Sequence, residues 1–449
     1  MNLIAWTAFQ KQALVAGGRA LGIVCVGFLL LATVQAAEDQ PPAPLSNEDF
    51  QEHSDAKVRL GRLLFYDPVL SGTYRVSCAT CHHHDRASSN GFPLRNKGEV
   101  DRDEAALPDL SRYQRLKPSA RHAPTLFNLG HASFTVMFWD GRVAARTADD
   151  GFDTPMGDAL PKGLESALAA QALFPAVTRD ELVGTIETEL IAKAGDDSLA
   201  IWTALAGRVA DLEGYRRLFK AAYPQGDGSV SISGIANAIG AFVATEWRAD
   251  GSPYDAFLRG DENALTASAR RGEELFRGKA GCSECHKGAL QTDNDYHAVA
   301  TPLWPHTISP NAETERFADV LIGRANATGA DQDRFRFKTP SLRNISATAP
   351  YGHAGSFKTL TRFLEAHLDP EPGLRQFVKD RLGDTPPLVV SALMMEVLQR
   401  NRLKPVRLSA GEKMDLLAFL DTLTDPKSLS GRLGRPEKCR AILLSNRIV

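Results

Sequence analysis

The residues with the most specific chemistry are two pairs of cysteines, each followed by a histidine. The motifs are "CATCH" and "CSECH", formed by Cys78, Cys81 and His82 and by Cys282, Cys285 and His286. In this spacing two thiols add to the vinyl groups of a haem, and the histidine ligates the iron from the proximal side. Paired zinc sites and disulfides are the alternatives. We predict two covalently attached c-type haems.

Two more histidines, His83 and His84, directly follow the first motif. Their position next to the proximal ligand makes them sterically poor ligands for the opposite face of the same ring. We therefore expect them to be polar residues at the surface or at the haem edge.

The first 36 residues have the pattern of a secretory signal. Lys11 and Arg19 precede a charge-free stretch from Ala20 to Ala37 that ends in small residues. We expect cleavage after Ala36 and a periplasmic protein, with an uncleaved membrane anchor as the alternative because the stretch is near spanning length.

The composition is that of an ordinary globular protein of 449 residues, with 43% apolar and 24% charged residues. A formal net charge of -2 provides no basic surface for nucleic acid, so we expect no nucleic-acid partner. Cys439, outside both motifs, is interpreted as a free thiol.

The remaining segments predict helices and loops with little strand. The segments "KVRLGRLLFYDPVL" and "ASARRGEELFRG" each precede a haem motif and predict a helix, the second with Thr266 or Ser268 as its N-cap. Apolar residues recur at helical spacing in "ISGIANAIGAFVATEW" and "GEKMDLLAFLDTL", which predict core helices. The fold class is mainly α, with two weakly similar halves.

The polar, Gly- and Pro-containing stretch "RADGSPYDAFLRGDENALT" predicts a boundary between the halves. The expected organisation is a signal peptide, an N-terminal domain, a C-terminal domain and a tail, at residues 1–36, 37–250, 251–425 and 426–449.

Two longer segments carry a family resemblance. The sequences "SARHAPTLFNLGHASFTVMFWDGR" and "FKTPSLRNISATAPYGHAGSFKTLTRFLEAH" resemble the signature segments of bacterial di-haem cytochrome c peroxidases and their MauG-type relatives. The resemblance extends from about Arg59 to Leu423 and implies two cytochrome c-like helical domains, each with one haem. It also implies that peroxide reacts at the N-terminal haem, that the C-terminal haem relays electrons, and that a tryptophan lies between them.

The resemblance also identifies individual residues. Trp139 of "FWDGR" matches the bridging tryptophan, with a core aromatic as the alternative. The family places a Met or Tyr ligand of the C-terminal haem 17 residues after the position of Pro350, which is His367 here. A histidine ligand would lower the potential of this haem relative to methionine. His353 is the alternative ligand.

At the N-terminal haem, members of the family often carry a second histidine roughly sixteen residues after the motif, but the segment "FPLRNKGEV" has none. We therefore expect an open distal side. Cleavage of peroxide needs a group that moves a proton between its oxygens. The family glutamate falls on Ala159, so Asp158 and His131 are the candidates, and a structural role for His131 stays open.

The resemblance further implies a calcium ion between the domains, held by an asparagine side chain and by the carbonyls of Thr348 and Pro350. His122 occupies the asparagine position. Imidazole is a poor ligand for this oxygen-preferring cation, so calcium would require water or another oxygen.

These observations favour a di-haem peroxidase that reduces hydrogen peroxide with electrons from a small cytochrome c or cupredoxin. A MauG-like enzyme that oxidises a protein side chain and an electron carrier without peroxide chemistry are the alternatives. A homodimer is among the assemblies that the sequence allows.

Overall fold

Helices make up most of the regular structure in the computed structural model, which describes residues 41–90, 121–184, 188–303 and 321–436. The α-helices are Asp55–Tyr66, Cys78–Cys81, Ala167–Ala172, Glu189–Ala194, Ser198–Ala210, Glu213–Ala222, Ile232–Glu246, Pro253–Leu258, Ala267–Arg277, Ala325–Thr328, Leu360–Leu368, Pro370–Leu382, Leu388–Gln399, Ala410–Asp421 and Pro426–Leu429. The predicted mainly α class is confirmed.

The β-structure in these residues is limited to two small antiparallel sheets. Their strands are Val136–Met137, Val143–Ala145 and Phe152–Asp153 in the first sheet, and Tyr296–His297 and Phe337–Lys338 in the second. Val136 pairs with Ala144, and Ala144 pairs with Asp153. The turn between the first two strands carries Trp139, so this hairpin determines where the tryptophan lies.

The four helices expected from the sequence all form, and local capping explains where they begin. Thr266, rather than Ser268, caps the helix Ala267–Arg277, and its side chain accepts the backbone N–H of Ala269 at 3.1 Å. Such a cap satisfies one of the donors that have no partner in the first turn of a helix.

The two halves repeat one helix crossing, which supports the weak similarity expected between them. A β-carbon at Gly61 would lie 1.7 Å from the backbone oxygen of Ala238, on the helix Ile232–Glu246. A β-carbon at Gly272 would lie 1.9 Å from the backbone oxygen of Asp415, on the helix Ala410–Asp421. In each half, the helix before the haem motif therefore needs glycine where it crosses the last long helix.

Buried apolar side chains in the described residues form three clusters. The first contains residues between Leu45 and Ala249 together with Leu290, the second runs from Ala300 to Val397, and the third from Tyr254 to Leu423. The described residues from Pro44 onward belong to one compact unit. The domain boundary near residue 250 stays a prediction.

The polar stretch expected at that boundary is firmly anchored. It contains the helix Pro253–Leu258, whose Asp255 forms an ion pair of 2.6 Å with Arg343, both fully buried. Arg343 Nε also donates to the backbone oxygen of Ala289 at 2.8 Å. This pair therefore links the stretch to the loop that follows the second haem motif.

Three predictions fall on residues outside the described ranges: the signal segment, the loop "FPLRNKGEV" and the free thiol of Cys439. Within those ranges, no helix is both long and apolar enough to cross a bilayer.

Candidate functional site

The first motif forms one helical turn that brings its thiols together. The helix Cys78–Cys81 follows Ser77, whose backbone N–H donates to Thr80 Oγ1 at 3.0 Å. Residues three apart are neighbours on a helix surface, so both sulfur atoms lie on one side. Both cysteines are half-buried free thiols, and burial raises their pKa to about 12.

The second motif reaches a similar arrangement through a tighter turn. A 3-10 helix, Cys282–Glu284, begins after Gly281, which is left-handed with φ 65°. Cys282 and Cys285 are also free thiols, so none of the four motif cysteines forms a disulfide. Burial raises the pKa of Cys282 to about 12 and also raises that of Cys285.

The histidines of the two motifs make the same hydrogen bond. His82 Nδ1 lies 3.0 Å from the backbone oxygen of Ser88, and His286 Nδ1 lies 3.0 Å from that of Gln291. A proton held on Nδ1 by a carbonyl leaves the lone pair of Nε2 available for a metal. Burial lowers the pKa of both imidazoles, which favours this neutral form.

The accepting carbonyls belong to residues with left-handed backbones, which sequence reasoning did not identify. Ser88 has φ 55° and Gln291 has φ 49°, uncommon values for residues with side chains. Ser88 Oγ accepts the backbone N–H of Leu126 at 2.8 Å, and Gln291 Nε2 donates to the oxygen of Gly288 at 3.1 Å. These tertiary and loop contacts hold each carbonyl under its histidine.

The surroundings of these residues fit a prosthetic group. His82, His286 and His367 keep partly exposed side chains although burial lowers the pKa of each. Each of these three imidazoles therefore remains accessible to a group placed against it. Two thiols beside a neutral, accessible imidazole are the donor set that covalent haem requires.

The two candidates for the sixth ligand differ in their neighbours. His367 lies on the helix Leu360–Leu368, and burial together with the charge of His286 lowers its pKa to about 4. His286 is therefore among the groups whose charge acts on His367. By contrast, the charge that lowers the pKa of His353 is that of Arg121, whose guanidinium lies 3.0 Å from His353 Nδ1. These neighbours favour His367.

Trp139 contacts residues from both halves of the chain. Its Nε1 donates to the backbone oxygen of His122 at 3.4 Å, and its own backbone oxygen accepts the N–H of Lys338 at 2.9 Å. Its ring meets that of His353 edge-on, with centroids 6.4 Å apart. The half-buried indole also packs against the cluster Ala300–Val397. Its contacts therefore fit both a residue that connects the two halves and an aromatic residue of the core.

The two acid–base candidates lie in different environments. Asp158 is exposed on the short 3-10 helix Gly157–Ala159. His131 is half-buried, its Nδ1 lies 2.9 Å from Ser133 Oγ, and its ring contacts Phe50 edge-on at 5.2 Å. These contacts suit the structural role that the sequence left open for His131, and the catalytic role of either residue stays a prediction.

Of the two positions expected for His83 and His84, the surface is wrong, because each is only 8% exposed, and the haem edge stays a prediction. His83 Nδ1 accepts the backbone N–H of Asp85 at 3.3 Å. His84 Nδ1 lies 3.2 Å from the hydroxyl of Tyr66 and 3.6 Å from Glu246 Oε1. After these histidines the chain passes through Ala87 and Ser88, which have left-handed backbones.

The residues at the implied calcium site do not supply an obvious oxygen cage. Thr348 and Pro350 are buried, and Thr348 Oγ1 donates to the backbone oxygen of Ile345 at 3.1 Å. His122 Nε2 lies 3.0 Å from Ser89 Oγ, so this imidazole is already hydrogen-bonded. Calcium at this position stays a prediction that needs a further oxygen ligand.

One trio among the described residues has the spacing of a metal site. Ligand atoms of Cys285, Asp293 and His297 lie within 4.8 Å of one another, with His297 Nε2 2.8 Å from Asp293 Oδ2. Metal binding here would need the Cys285 thiolate, whose pKa is raised by burial and whose sulfur haem attachment would consume. Zinc and haem would therefore compete for the sulfur of Cys285.

Comparison with known proteins relates the chain to di-haem enzymes. A family model described as di-haem cytochrome c peroxidase matches residues 55–263. The chain is 29% identical over 387 residues to the methylamine utilization protein MauG of Methylophilus methylotrophus, covering 86% of each chain. It is 28% identical over 420 residues to cytochrome-c peroxidase IdrP2 of Denitromonas iodatirespirans, covering 89% of this chain and 90% of the relative.

Among solved structures, the diheme peroxidase BthA from Burkholderia thailandensis superposes with a TM-score of 0.57 at 21% identity. The match covers 87% of this chain and 92% of that chain, and at this identity it supports the fold alone. The family match over residues 55–263 and the similarity over most of the chain to relatives of both kinds relate the chain to the bacterial di-haem cytochrome c peroxidase and MauG family.

Proposed function

We propose that this protein is a di-haem peroxidase that reduces hydrogen peroxide to water with electrons from a small redox protein, a cytochrome c or a cupredoxin. The observation that carries the proposal is the shared proximal bond, from His82 to Ser88 and from His286 to Gln291, both 3.0 Å. In both motifs a histidine follows two thiols, and its Nδ1 atom lies at the same distance from a backbone oxygen of the loop that comes after it. The thiols of the four motif cysteines attach the two haems.

When bound, the haems supply iron that reacts with peroxide and passes electrons singly. The protein chain holds the two haems in position and provides the route by which electrons pass from one to the other. Electrons enter at the C-terminal half and pass by Trp139 to the N-terminal half. The support for this route is that Trp139 hydrogen-bonds to His122 on one side and to Lys338 on the other.

The two halves take different roles because their ligands differ. In the C-terminal half, His286 and His367 would both hold the iron, so this haem would relay electrons and would not bind peroxide. The coupling between the pKa of His367 and the charge of His286 supports this assignment. In the N-terminal half, the segment "FPLRNKGEV" contains no histidine, which supports an open position for peroxide.

Proton transfer during peroxide cleavage falls to Asp158 or His131 in this proposal. The exposure of Asp158 gives it proton exchange with water. The Nδ1 atom of His131 is engaged by Ser133, which leaves Nε2 as its only proton-transfer atom. Asp158→Asn and His131→Gln, compared for the rate of reaction with peroxide, separate the two candidates.

A MauG-like enzyme that oxidises a protein side chain is the second candidate. A histidine at position 367, where the family has methionine or tyrosine, and the absence of a histidine from the segment "FPLRNKGEV" favour it. The 29% identity to MauG and the 28% identity to a peroxidase do not separate the two reactions. An electron carrier without peroxide chemistry is the third candidate.

One set of measurements distinguishes the three. The purified holoprotein is mixed with hydrogen peroxide in a stopped-flow spectrometer, and a pure carrier gives no rapid change of the haem spectrum. Steady-state assays with reduced cytochrome c or cupredoxin follow. Continuous donor oxidation supports the peroxidase, whereas rapid reaction with peroxide but negligible turnover supports the MauG-like enzyme.

The proposal also includes a periplasmic location and a homodimeric assembly. Export through residues 1–36 would deliver the chain to the periplasm, where haem attachment to thiols takes place, and a homodimer is the assembly to test first. Cell fractionation and mass measurement of the mature N-terminus test the export. A sedimentation experiment on the holoprotein tests the dimer.

A further inference from the structure

Beyond Pro426–Leu429, the last helix of the described residues, the chain returns to the loop that follows the first haem motif. We call residues Gly431–Arg435 the strap. Within it, Arg432 Nε donates to the backbone oxygen of Arg248 at 2.9 Å and forms an ion pair with Asp250. The strap thus joins the C-terminal end of the described chain to the N-terminal half.

The centre of this contact is Glu246, the last residue of the helix Ile232–Glu246. Its side chain is fully buried, Oε2 accepts the N–H of Leu433 at 2.6 Å, and Oε1 accepts the N–H of Gly434 at 3.1 Å. A buried carboxylate is costly unless donors satisfy it. The strap supplies two of those donors, so its path and the Glu246 side chain depend on each other.

The strap also touches the loop after His82. Gly431 is left-handed with φ 71°, and a β-carbon there would lie 2.1 Å from Glu246 Oε1 and 2.6 Å from His84 Cε1. Arg435 forms an ion pair with Asp85. Two consecutive residues of the loop, His84 and Asp85, are therefore held from outside by the strap and by Glu246.

The loop itself is short and internally bonded. The backbone N–H of His83 donates to the oxygen of Ser89 at 2.9 Å, next to the Ser88 oxygen that accepts the proximal hydrogen bond from His82. A displacement of His84 and Asp85 therefore moves the carbonyl that orients His82. The direction of this bond governs how basic the histidine is as a ligand.

We propose that the strap fixes the proximal loop of the first haem and that Glu246 is a positioning residue for His82. The inference rests on the proposed function in one respect, that His82 ligates the iron of a haem attached at Cys78 and Cys81. Loosening the strap should change the spin state and reduction potential of the first haem and leave the second unchanged.

The test uses the full holoprotein with Glu246→Gln, in which one acceptor oxygen becomes an amide N–H₂ that faces a backbone donor of the strap. Glu213→Gln, at an exposed position, is the matched control. A chain ended after Ser430 lacks the strap, and a chain ended after Pro436 keeps it. Each protein is assayed for haem content by the pyridine haemochrome method, then by electron paramagnetic resonance and redox titration.

The expected result is two haems per chain in every variant, with a changed first-haem signal and midpoint potential in Glu246→Gln and in the chain ended after Ser430. The second-haem signal and both controls should match the wild type. Arg435→Gln removes only the exposed contact to Asp85 and should produce a smaller change in the first-haem signal. It replaces the other variants in the test if they do not fold.

Two outcomes would overturn the inference. If the first-haem signal and potential are unchanged in Glu246→Gln and Arg435→Gln, the strap only stabilises the fold. If both haem signals change equally, the strap loosens the whole molecule and does not position His82. A wild type that contains fewer than two haems would count against the proposed function instead.

Discussion

The indole of Trp139 meets the imidazole of His353 edge-on, with ring centroids 6.4 Å apart and planes inclined by 68°. His353 in turn stacks on Phe337 with a centroid distance of 3.7 Å. Its Nε2 atom is buried without a hydrogen-bond partner among the described residues. A continuous set of aromatic rings therefore leads from the hairpin of the N-terminal half into the C-terminal half.

Trp139→Phe tests whether this contact carries electrons. Phenylalanine retains an aromatic ring but is much harder to oxidise and lacks the Nε1–H that binds the His122 oxygen. We expect both haems to be retained and donor oxidation by peroxide to fall by about tenfold or more, a barrier change of at least about 1.4 kcal/mol. Steady-state turnover with a reduced donor measures it.

Trp202→Phe is the matched control, because Trp202 is fully buried and donates to the Leu173 oxygen at 3.0 Å within the first core. It should lower the melting temperature and leave turnover unchanged. Equal turnover in Trp139→Phe and wild type would identify Trp139 as a packing residue.

Haem attachment can be tested at the second motif. Replacing both Cys282 and Cys285 with alanine should remove one of two haems, because no thiol remains to form a thioether. His286→Gly should leave that haem covalently bound but without its proximal ligand. The pyridine haemochrome assay counts the haems, and the optical spectrum reports their ligation. One haem in the wild type, or zinc in place of haem, would contradict the assignment of both motifs.

Features set by local sequence could be predicted. The N-cap Thr266 acts on residues directly after it, and the apolar spacing of the helix Ile232–Glu246 is fixed by its own turns, so neither depends on distant parts of the chain. The two haem motifs belong to the same class, because their chemistry requires a fixed spacing of a few residues.

Features that depend on distant contacts could not be predicted. The burial of His84 results from its packing against Glu246 and Gly431, which are far away in sequence. The left-handed backbones of Ser88 and Gln291 have no compositional signal, since serine and glutamine adopt this conformation only where tertiary contacts impose it. Counting along a resemblance led to Asp158, but only the structure shows that this carboxylate is exposed.

The repeated helix crossing leads to a stability prediction. Gly61→Ala or Gly272→Ala would place a methyl group against a backbone oxygen that cannot move without shifting a helix, so we expect each to destabilise the fold by about 3 kcal/mol or more. Gly207→Ala is the control, because this helical glycine faces open space and alanine should stabilise it by about 0.5–1 kcal/mol. Urea unfolding measures all three. If Gly61→Ala left the free energy of unfolding unchanged, the helices Asp55–Tyr66 and Ile232–Glu246 would have to be further apart than the structure shows.

The buried ion pair Asp255–Arg343 leads to a second stability prediction. Arg343→Met would leave the Asp255 carboxylate buried without its cation, which costs about 3–5 kcal/mol. Adding Asp255→Leu should recover much of this loss, because an apolar pair removes the uncompensated charge. Arg375→Met, in an exposed pair with Glu371, should change the stability little. If the double variant were no more stable than Arg343→Met, the hydrogen bond from Arg343 to Ala289 would be the main contribution.

The axial ligand of the second haem gives the sharpest spectroscopic test. A haem with His286 and His367 on opposite sides should be six-coordinate and low-spin, whereas the first haem, with no distal histidine, should be high-spin. We therefore expect one high-spin and one low-spin ferric signal in electron paramagnetic resonance, and no near-infrared band of the methionine-to-iron type. Haem content, measured on the same sample, should be two per chain.

Substitution then assigns the low-spin signal. His367→Ala should convert it to high-spin and leave the first haem unchanged, because the imidazole proposed as the second ligand of this iron would be gone. His353→Ala, the matched control, should retain the low-spin signal, since this ring interacts with Arg121 and Phe337 instead. If the low-spin signal survived in His367→Ala and disappeared in His353→Ala, His353 would be the ligand. The ring beside Trp139 would then be bonded directly to the iron, and the electron path would be one residue shorter.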